Sequence, residues 1–131
     1  MSIDFYPTIL ELAGVSHNAN HNVDGVSLVP LLKGGDSFER EDLYWHYPHY
    51  SNQGGFPGAA IRSGDWKLIE RFEDGKLHLF NLKSDIGEQN DVAAVSKDRV
   101  ANMKSKLHAW YKTVDAEFLR AKPDGPAPWH P

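Results

Sequence analysis

Two tight turns near the middle of the chain constrain its fold more than any other feature of the sequence. Gly64 marks the first turn, and the pair Asp74-Gly75 marks the second. Asp-Gly pairs and isolated glycines tolerate the positive φ angles that hairpin turns require. The runs beside these turns are rich in strand-forming residues, and they are Ala59–Arg62, Trp66–Phe72 and Leu77–Leu82. With a further aromatic run at Leu43–Tyr47, the sequence predicts an antiparallel sheet of three to four strands.

Helical periodicity is clearest in the last third of the chain. A stripe of apolar residues predicts one long helix over Lys97–Arg120 that packs against the sheet. Its members are Val100, Met103, Leu107, Trp110, Val114 and Phe118. The predicted fold class is therefore α+β, with a long C-terminal helix on a small antiparallel sheet.

Short helices are expected before the sheet. The first is predicted over Asp4–Gly14, with Asp4 as its N-cap and Gly14 as its left-handed stop. Ser27 is expected to cap a second, Leu28–Leu32, and a surface loop is expected between the two. Helices this short are marginal without tertiary packing, so a larger body should receive their apolar faces. At the other end of the chain, residues 122–131 form a proline-rich tail that is expected to be irregular.

Composition excludes several classes of function. The chain carries 14 Lys and Arg against 18 Asp and Glu, a formal net charge of −4, whereas nucleic-acid-binding surfaces concentrate basic residues. No run approaches the ~20 apolar residues that cross a membrane. Cysteine is absent, which excludes disulfides and a cysteine nucleophile as encoded. We therefore expect neither a nucleic-acid nor a membrane partner.

The histidines are the first candidates for chemistry. His17 and His21 are spaced i, i+4 but lie in a predicted loop. Zinc sites need three or four convergent ligands, so we expect no metal there. Nor does the chain contain a Ser-x-Pro-x-Arg motif, a phosphate-binding glycine loop or an aspartate cluster. No catalytic residue is predicted from these patterns.

The segment Trp45–Tyr50 is dense in polar aromatic residues. Strand alternation predicts that Trp45 and Tyr47 share one sheet face and that His46 lies on the other. Pro48 should end the strand, which leaves His49 in a loop before a glycine-rich stretch. Such a loop can present donors to an anion or a sugar, but the same aromatics could simply cap the sheet. From the residues alone, both interpretations stay open.

Glu70 interrupts the predicted apolar face of its strand, and a buried carboxylate needs a partner. We expect Arg62 to supply it.

Three segments, in this order and spacing, resemble the C-terminal part of the sulfatase (arylsulfatase) family. They are Asp4–Gly14 followed by Asp24–Leu28 and Pro30–Gly34, then Ala60–Ile69, and finally Leu79–Leu82 running into Asp85–Ala93. Bacterial sulfatases with the sequence Trp-His-Tyr-Pro-His-Tyr before the hairpin are the most similar. The resemblance extends over residues 3 to 93.

The resemblance implies a domain organisation and an activity. Residues 1–34 would be the closing helices of a missing α/β, alkaline-phosphatase-like catalytic domain, and residues 35–121 the C-terminal subdomain. Members of the family hydrolyse sulfate esters through a formylglycine, with a calcium ion bound nearby. No position in this chain matches either group, so both are expected in the missing domain. The substrate would be a sulfated glycan or an aryl sulfate, and the family suggests a periplasmic or secreted protein.

The resemblance also implies that His46 and His49 contact the substrate near the mouth of the pocket. This chain by itself is expected to be an inactive fragment, and its exposed apolar residues could make it self-associate. The alternatives are a separate carbohydrate- or protein-binding module and an oligomerisation domain.

Overall fold

Two short helices open the chain, as predicted. The computed structural model describes residues 1–18, 20–36, 40–125 and 127–131, which form two compact units, Met1–Glu41 and Asp42–Pro131. In the first unit a 3₁₀ turn at Ser2–Asp4 leads into helix α1, Phe5–Leu12, and helix α2 is Val29–Leu32. Gly14, at φ +66°, follows the end of α1 in the left-handed conformation. The N-cap of α2 is Leu28 and not the predicted Ser27, whose hydroxyl lies one residue earlier and accepts the backbone N–H of Val29 at 3.2 Å.

Asp4 does not act as the predicted N-cap, because its side chain makes no capping hydrogen bond. The residue is only 1% exposed, and its carboxylate accepts hydrogen bonds from the Arg40 guanidinium and from the backbone N–H of Val26. Thr8 completes the connection, since its hydroxyl donates to the Asp4 carbonyl and accepts from Leu28 N–H at 2.8 Å. Polar contacts therefore join α1 to the residues that precede α2.

The apolar face of α1 is open to solvent. Phe5, Ile9 and Leu12 are 61%, 63% and 64% exposed. Among the residues of this unit that the structure describes, Val29 is by contrast the buried apolar one, at 2% exposure. The first unit thus leaves uncovered the same apolar stripe that predicted the helix.

The second unit contains the four-stranded antiparallel sheet, in the order β1-β2-β3-β4. Its strands are β1 Asp42–Tyr47, β2 Gly58–Ser63, β3 Trp66–Arg71 and β4 Leu77–Asn81. Both predicted turns are present, with Gly64 at φ +58° and Gly75 at φ +70°. The register places Ile61 opposite Leu68 and Leu68 opposite Leu79, and all three are fully buried.

Helix α3, Lys97–Thr113, covers the sheet face that carries these residues. Its Met103, Leu107 and Tyr111 are buried at 3%, 0% and 4% exposure. The predicted α+β fold is confirmed. Among the described residues, no helix combines the length and apolarity that crossing a membrane requires.

The predicted end of the long helix at Arg120 is wrong. Asp115 adopts a φ of +50°, a left-handed conformation that aspartate tolerates better than most residues and that ends the helix. The chain then turns back, and the Phe118 ring packs 5.1 Å from that of Tyr111. Phe118 therefore joins the core from outside the helix, whereas Val114 is 45% exposed.

The proline-rich tail has no regular secondary structure in its described residues. It nevertheless packs on the second unit, because the Trp129 ring stacks on Phe72 at 6.1 Å and 11°.

Candidate functional site

A groove lies along β2 on the sheet face that α3 leaves open. We call it the β2 groove, and it has a volume of about 460 Å³. The side chains of Trp45 and Tyr47 form one wall, and those of Lys67 and Ile69 form the other. Strand alternation explains this arrangement, because residues two apart on a strand share a face. The prediction that Trp45 and Tyr47 lie together is confirmed.

Small residues in β2 form the floor of the groove. The register pairs Trp45 with Ala60 and Tyr47 with Gly58, so each large ring faces a residue with little or no side chain. Gly58 is required by close packing, since a Cβ atom there would lie 2.8 Å from the carbonyl oxygen of Glu70. The groove therefore results from alternating large and small residues across one strand pair.

Charged residues line the groove at the Arg62 end. Lys67 donates to Glu88 across 2.6 Å, so this cation is neutralised by its neighbour. Arg62 is exposed, and its Nε donates to the Gly64 carbonyl at 3.2 Å. Within the described part of the chain, its two terminal nitrogens have no hydrogen-bond partner. Arg62 thus offers a free pair of donors at the groove.

His46 and His49, the two histidines predicted to contact substrate, lie in different environments. His46 lies on the opposite sheet face from Trp45, and its ring is 5.2 Å from Phe72 and 5.3 Å from Phe118. Its Nε2 lies 2.6 Å from the carbonyl oxygen of Glu117, which only an N–H at that position can satisfy. Its Nδ1 is buried without a hydrogen-bond partner among the described residues.

His49 has a different environment. It is exposed, and its ring packs edge-on against Tyr47, 5.4 Å between centroids. Tyr47 therefore connects His49 to the β2 groove. Contact of either histidine with a substrate stays a prediction.

Glu70 is not paired with Arg62, so that prediction is wrong. The register places Arg62 opposite Lys67, on the groove face, whereas Glu70 points to the core and is 0% exposed. Its partners come from α3 instead, where His108 Nε2 lies 2.9 Å from Oε1 and the Tyr111 hydroxyl donates to Oε2 at 2.9 Å. His108 follows Leu107 of the apolar stripe directly, and Tyr111 lies four residues after Leu107. This closeness to the stripe is the sequence signal that could have identified both partners.

Burial and the nearby Glu70 carboxylate raise the pKa of Tyr111 well above its ordinary value. The phenol therefore stays protonated and able to donate. In the first unit, the hydrogen bond from Arg40 holds the pKa of Asp4 well below its usual range.

Residues 1–18, 20–36, 40–125 and 127–131 contain no group of three or more His, Cys, Asp or Glu side chains that could hold a metal ion. The described residues do not fit a calcium site, and we assign no metal ligand to them.

Comparison with known proteins adds the family context. Residues 1–116 match the family model described as N-sulphoglucosamine sulphohydrolase, C-terminal. A sulfatase of Formosa agariphila is 32% identical over 123 residues, which is 83% of this chain and 22% of that protein. The N-acetylglucosamine-6-O-sulfatase of Bacteroides thetaiotaomicron is 27% identical over 129 residues, or 95% of this chain and 22% of that protein.

Solved structures share the same fold. The protein BT4656, in complex with its substrate D-glucosamine-2-N,6-O-disulfate, superposes with a TM-score of 0.70 at 28% identity, over 86% of this chain and 24% of that one. Ps i-CgsB, in complex with k-i-k-neocarrahexaose, gives a TM-score of 0.65 at 29% identity, over 82% of this chain and 23% of that one. The chain therefore spans less than a quarter of the length of each of these four relatives.

Proposed function

Because this chain belongs to the N-sulphoglucosamine sulphohydrolase C-terminal family, we propose that it is the C-terminal region of a sulfatase that hydrolyses sulfate esters. The observation that carries the proposal is the extent of the family match, which runs through both compact units without a break. The substrate is proposed to be a sulfated carbohydrate, with an aryl sulfate as the alternative class. The names of the relatives support the carbohydrate.

The chemical step is assigned to a preceding α/β domain. That domain would hold the formylglycine and the calcium ion, which together would supply the nucleophile and the positive charge at the sulfate ester. Residues 1–34 would be its closing helices, and residues 35–121 the C-terminal subdomain. The exposed face of α1, with Phe5, Ile9 and Leu12, supports this division because it is an apolar surface suited to packing against further protein. Such a sulfatase is proposed to be periplasmic or secreted.

We propose that this region completes the fold and helps to recognise the substrate. His49 is exposed beside Tyr47, so its imidazole could donate a hydrogen bond to a sulfate or hydroxyl oxygen. A protonated imidazole would make that bond charge-assisted and stronger. His46 is included in the proposal on the family resemblance, and its contact with Glu117 would have to be retained or exchanged when substrate binds.

Kinetic assays on two proteins test the proposed function. The full-length protein is expected to release sulfate from a sulfated glucosamine, whereas the 131-residue chain is expected to turn over no chromogenic aryl sulfate, with or without calcium. Hydrolysis by the rigorously purified 131-residue chain would overturn the assignment of the chemical step to a preceding domain. A full-length protein that hydrolyses neither substrate class would overturn the sulfatase assignment, and sugar binding in that case would favour a binding module.

A further inference from the structure

We propose that the β2 groove is a sugar-binding subsite, in which Trp45 and Tyr47 contact a sugar ring and Arg62 binds an anionic substituent of that sugar. The ligand class is a sulfated saccharide, and this inference rests on the proposed function.

The shape of the groove supports a ring-shaped ligand. Trp45 and Tyr47 are 40% and 54% exposed although they stand on a regular strand of a folded sheet. Trp45 and Tyr47 stand opposite Ala60 and Gly58, which carry little or no side chain, and the groove volume of about 460 Å³ lies within the range of small-molecule sites. Aromatic faces beside an open floor can pack against the C–H surface of a sugar.

Charge at the groove supports an anionic ligand. The terminal nitrogens of Arg62 have no hydrogen-bond partner in the described ranges, and a guanidinium binds planar or tetrahedral oxyanions through two parallel hydrogen bonds. The Lys67–Glu88 pair beside it presents both a donor and an acceptor, which suits hydroxyl groups. The three charges lie within one small groove beside three aromatic residues, since Phe56 also lines it.

The same charges argue against the competing occupant, a segment of the rest of the polypeptide. The centres of protein–protein interfaces are depleted of charged residues, whereas Arg62, Lys67 and Glu88 all line this groove. A protein segment packed there would have to supply an acceptor for the Arg62 guanidinium, because burying that cation unpaired is costly. A hydrated, anionic sugar can pair with that guanidinium through its own anionic substituent.

Ligand titrations monitored by backbone-amide NMR test the proposal. The 131-residue chain would be titrated with D-glucosamine-2-N,6-O-disulfate, with unsulfated D-glucosamine and with sodium sulfate. We expect the disulfated sugar to shift the amides of the groove residues and to bind more tightly than either control ligand. Sulfate that shifts the same amides as strongly as the disulfated sugar would overturn the sugar assignment and leave a simple anion site.

Three variants and one control sharpen the test. Ala60→Leu fills the groove, Trp45→Ala removes a wall, and Arg62→Gln removes the cation. Each is expected to weaken binding of the disulfated sugar about tenfold, the equivalent of roughly 1.4 kcal/mol. Lys112→Gln removes one positive charge from an exposed position of α3 and should leave binding unchanged. Equal binding by all four variants would overturn the proposal.

The same variants in the full-length protein separate this proposal from the proposed function. Arg62→Gln should raise KM for the disulfated sugar without changing kcat, whereas the control Lys112→Gln should change neither. Hydrolysis with an unaltered KM would overturn the subsite while the sulfatase assignment stands. The chain has four tryptophans, so Trp45→Phe identifies the emission of Trp45. If this variant removes no acrylamide-quenchable emission from the full-length protein without ligand, the groove is filled by polypeptide and the sugar assignment is wrong.

Discussion

Tyr111 on α3 donates a hydrogen bond from its phenol to Glu70 on β3, with 2.9 Å between the two oxygens. The carboxylate is fully buried, and His108 lies 2.9 Å from its other oxygen. A buried carboxylate without partners would cost several kcal/mol, so these contacts determine where α3 can lie on the sheet. The pair thus joins helix and sheet at a polar point within an apolar interface.

Removing the phenol tests this connection. Tyr111→Phe should lower the free energy of unfolding by about 1–3 kcal/mol, because Oε2 of the buried Glu70 loses the phenol donor and keeps the contact with His108 Nε2 at 3.0 Å. Tyr47→Phe is the matched control, since Tyr47 is exposed and the same oxygen is removed. Urea denaturation followed by circular dichroism measures both. An equal, small loss in the two variants would contradict the role assigned to Tyr111.

Alkaline pH should act on the same residue. Burial, followed by the nearby Glu70 carboxylate, raises the pKa of Tyr111 above the ordinary value of 10.0. The protonated phenol is favoured in the folded state, so its stabilising contribution is complete below pH 10.0 and is lost as pH rises through the folded-state pKa.

Absorbance at 295 nm, where tyrosinate absorbs, measures this. The difference between the parent chain and Tyr111→Phe should contain no titration step near pH 10.0 until the protein unfolds. Between pH 10.0 and unfolding, stability should fall more steeply in the parent chain than in the variant. A titration step near pH 10.0 assigned to Tyr111 in folded protein would contradict the burial argument.

Acid should act on the first unit through Asp4. The hydrogen bond from Arg40 holds the pKa of Asp4 well below the ordinary value of 3.8, although burial opposes it. A lowered pKa means that the stabilising contribution of the Asp4 carboxylate is present above pH 3.8 and is lost as pH falls through the folded-state pKa.

Asp4→Asn removes the same negative charge at neutral pH. It should therefore reduce the protection of the Val26 amide, which donates to Asp4 at 3.0 Å. Hydrogen exchange would measure it.

The exposed Asp36→Asn serves as control and should leave the Val26 amide protected. Protection that survives Asp4→Asn at neutral pH would show that the carboxylate does not hold this unit together.

Local chemistry explains which parts of the fold the sequence could predict. The turns at Gly64 and Gly75 were predictable because only a few residues adopt positive φ without strain. Alternation correctly separated Trp45 from His46, since it needs only the period of a strand. These features depend on a few neighbouring residues.

The incorrect predictions concern contacts between residues far apart in the chain. The sequence predicts Arg62 as the partner of Glu70, but Arg62 lies on the groove face of the sheet and Glu70 on the core face. The partners of Glu70 are His108 and Tyr111, which lie 38 and 41 positions away on α3. The end of α3 was missed because the stripe continues past Asp115, where the backbone turns. The β2 groove needed the strand register, which pairs Trp45 with Ala60.

Close packing at Gly58 gives a further prediction. A Cβ atom there would lie 2.8 Å from the Glu70 carbonyl oxygen, so Gly58→Ala should shift the strands and cost about 1–3 kcal/mol. Gly87→Ala is the control, because the nearest atom to its added Cβ would be 3.6 Å away. Thermal denaturation compares the two. Equal melting temperatures for both variants would mean that β2 and β3 have room at this position.

The two histidines make the last prediction, in the full-length protein. His49→Ala should lower kcat/KM for the sulfated sugar about tenfold, the loss expected for one charge-assisted hydrogen bond, and leave Tm unchanged because the side chain is exposed. His46→Ala should also lower kcat/KM, by more than its loss of stability explains. It should in addition cause a measurable fall in Tm, since the His46 ring packs 5.2 Å from Phe72. Tyr50→Phe, at a 64% exposed residue of the same loop, is the control. A fall in Tm that accounts for the whole loss of activity would assign the affected histidine to the core, and unchanged kinetics for His49→Ala would remove it from the substrate side.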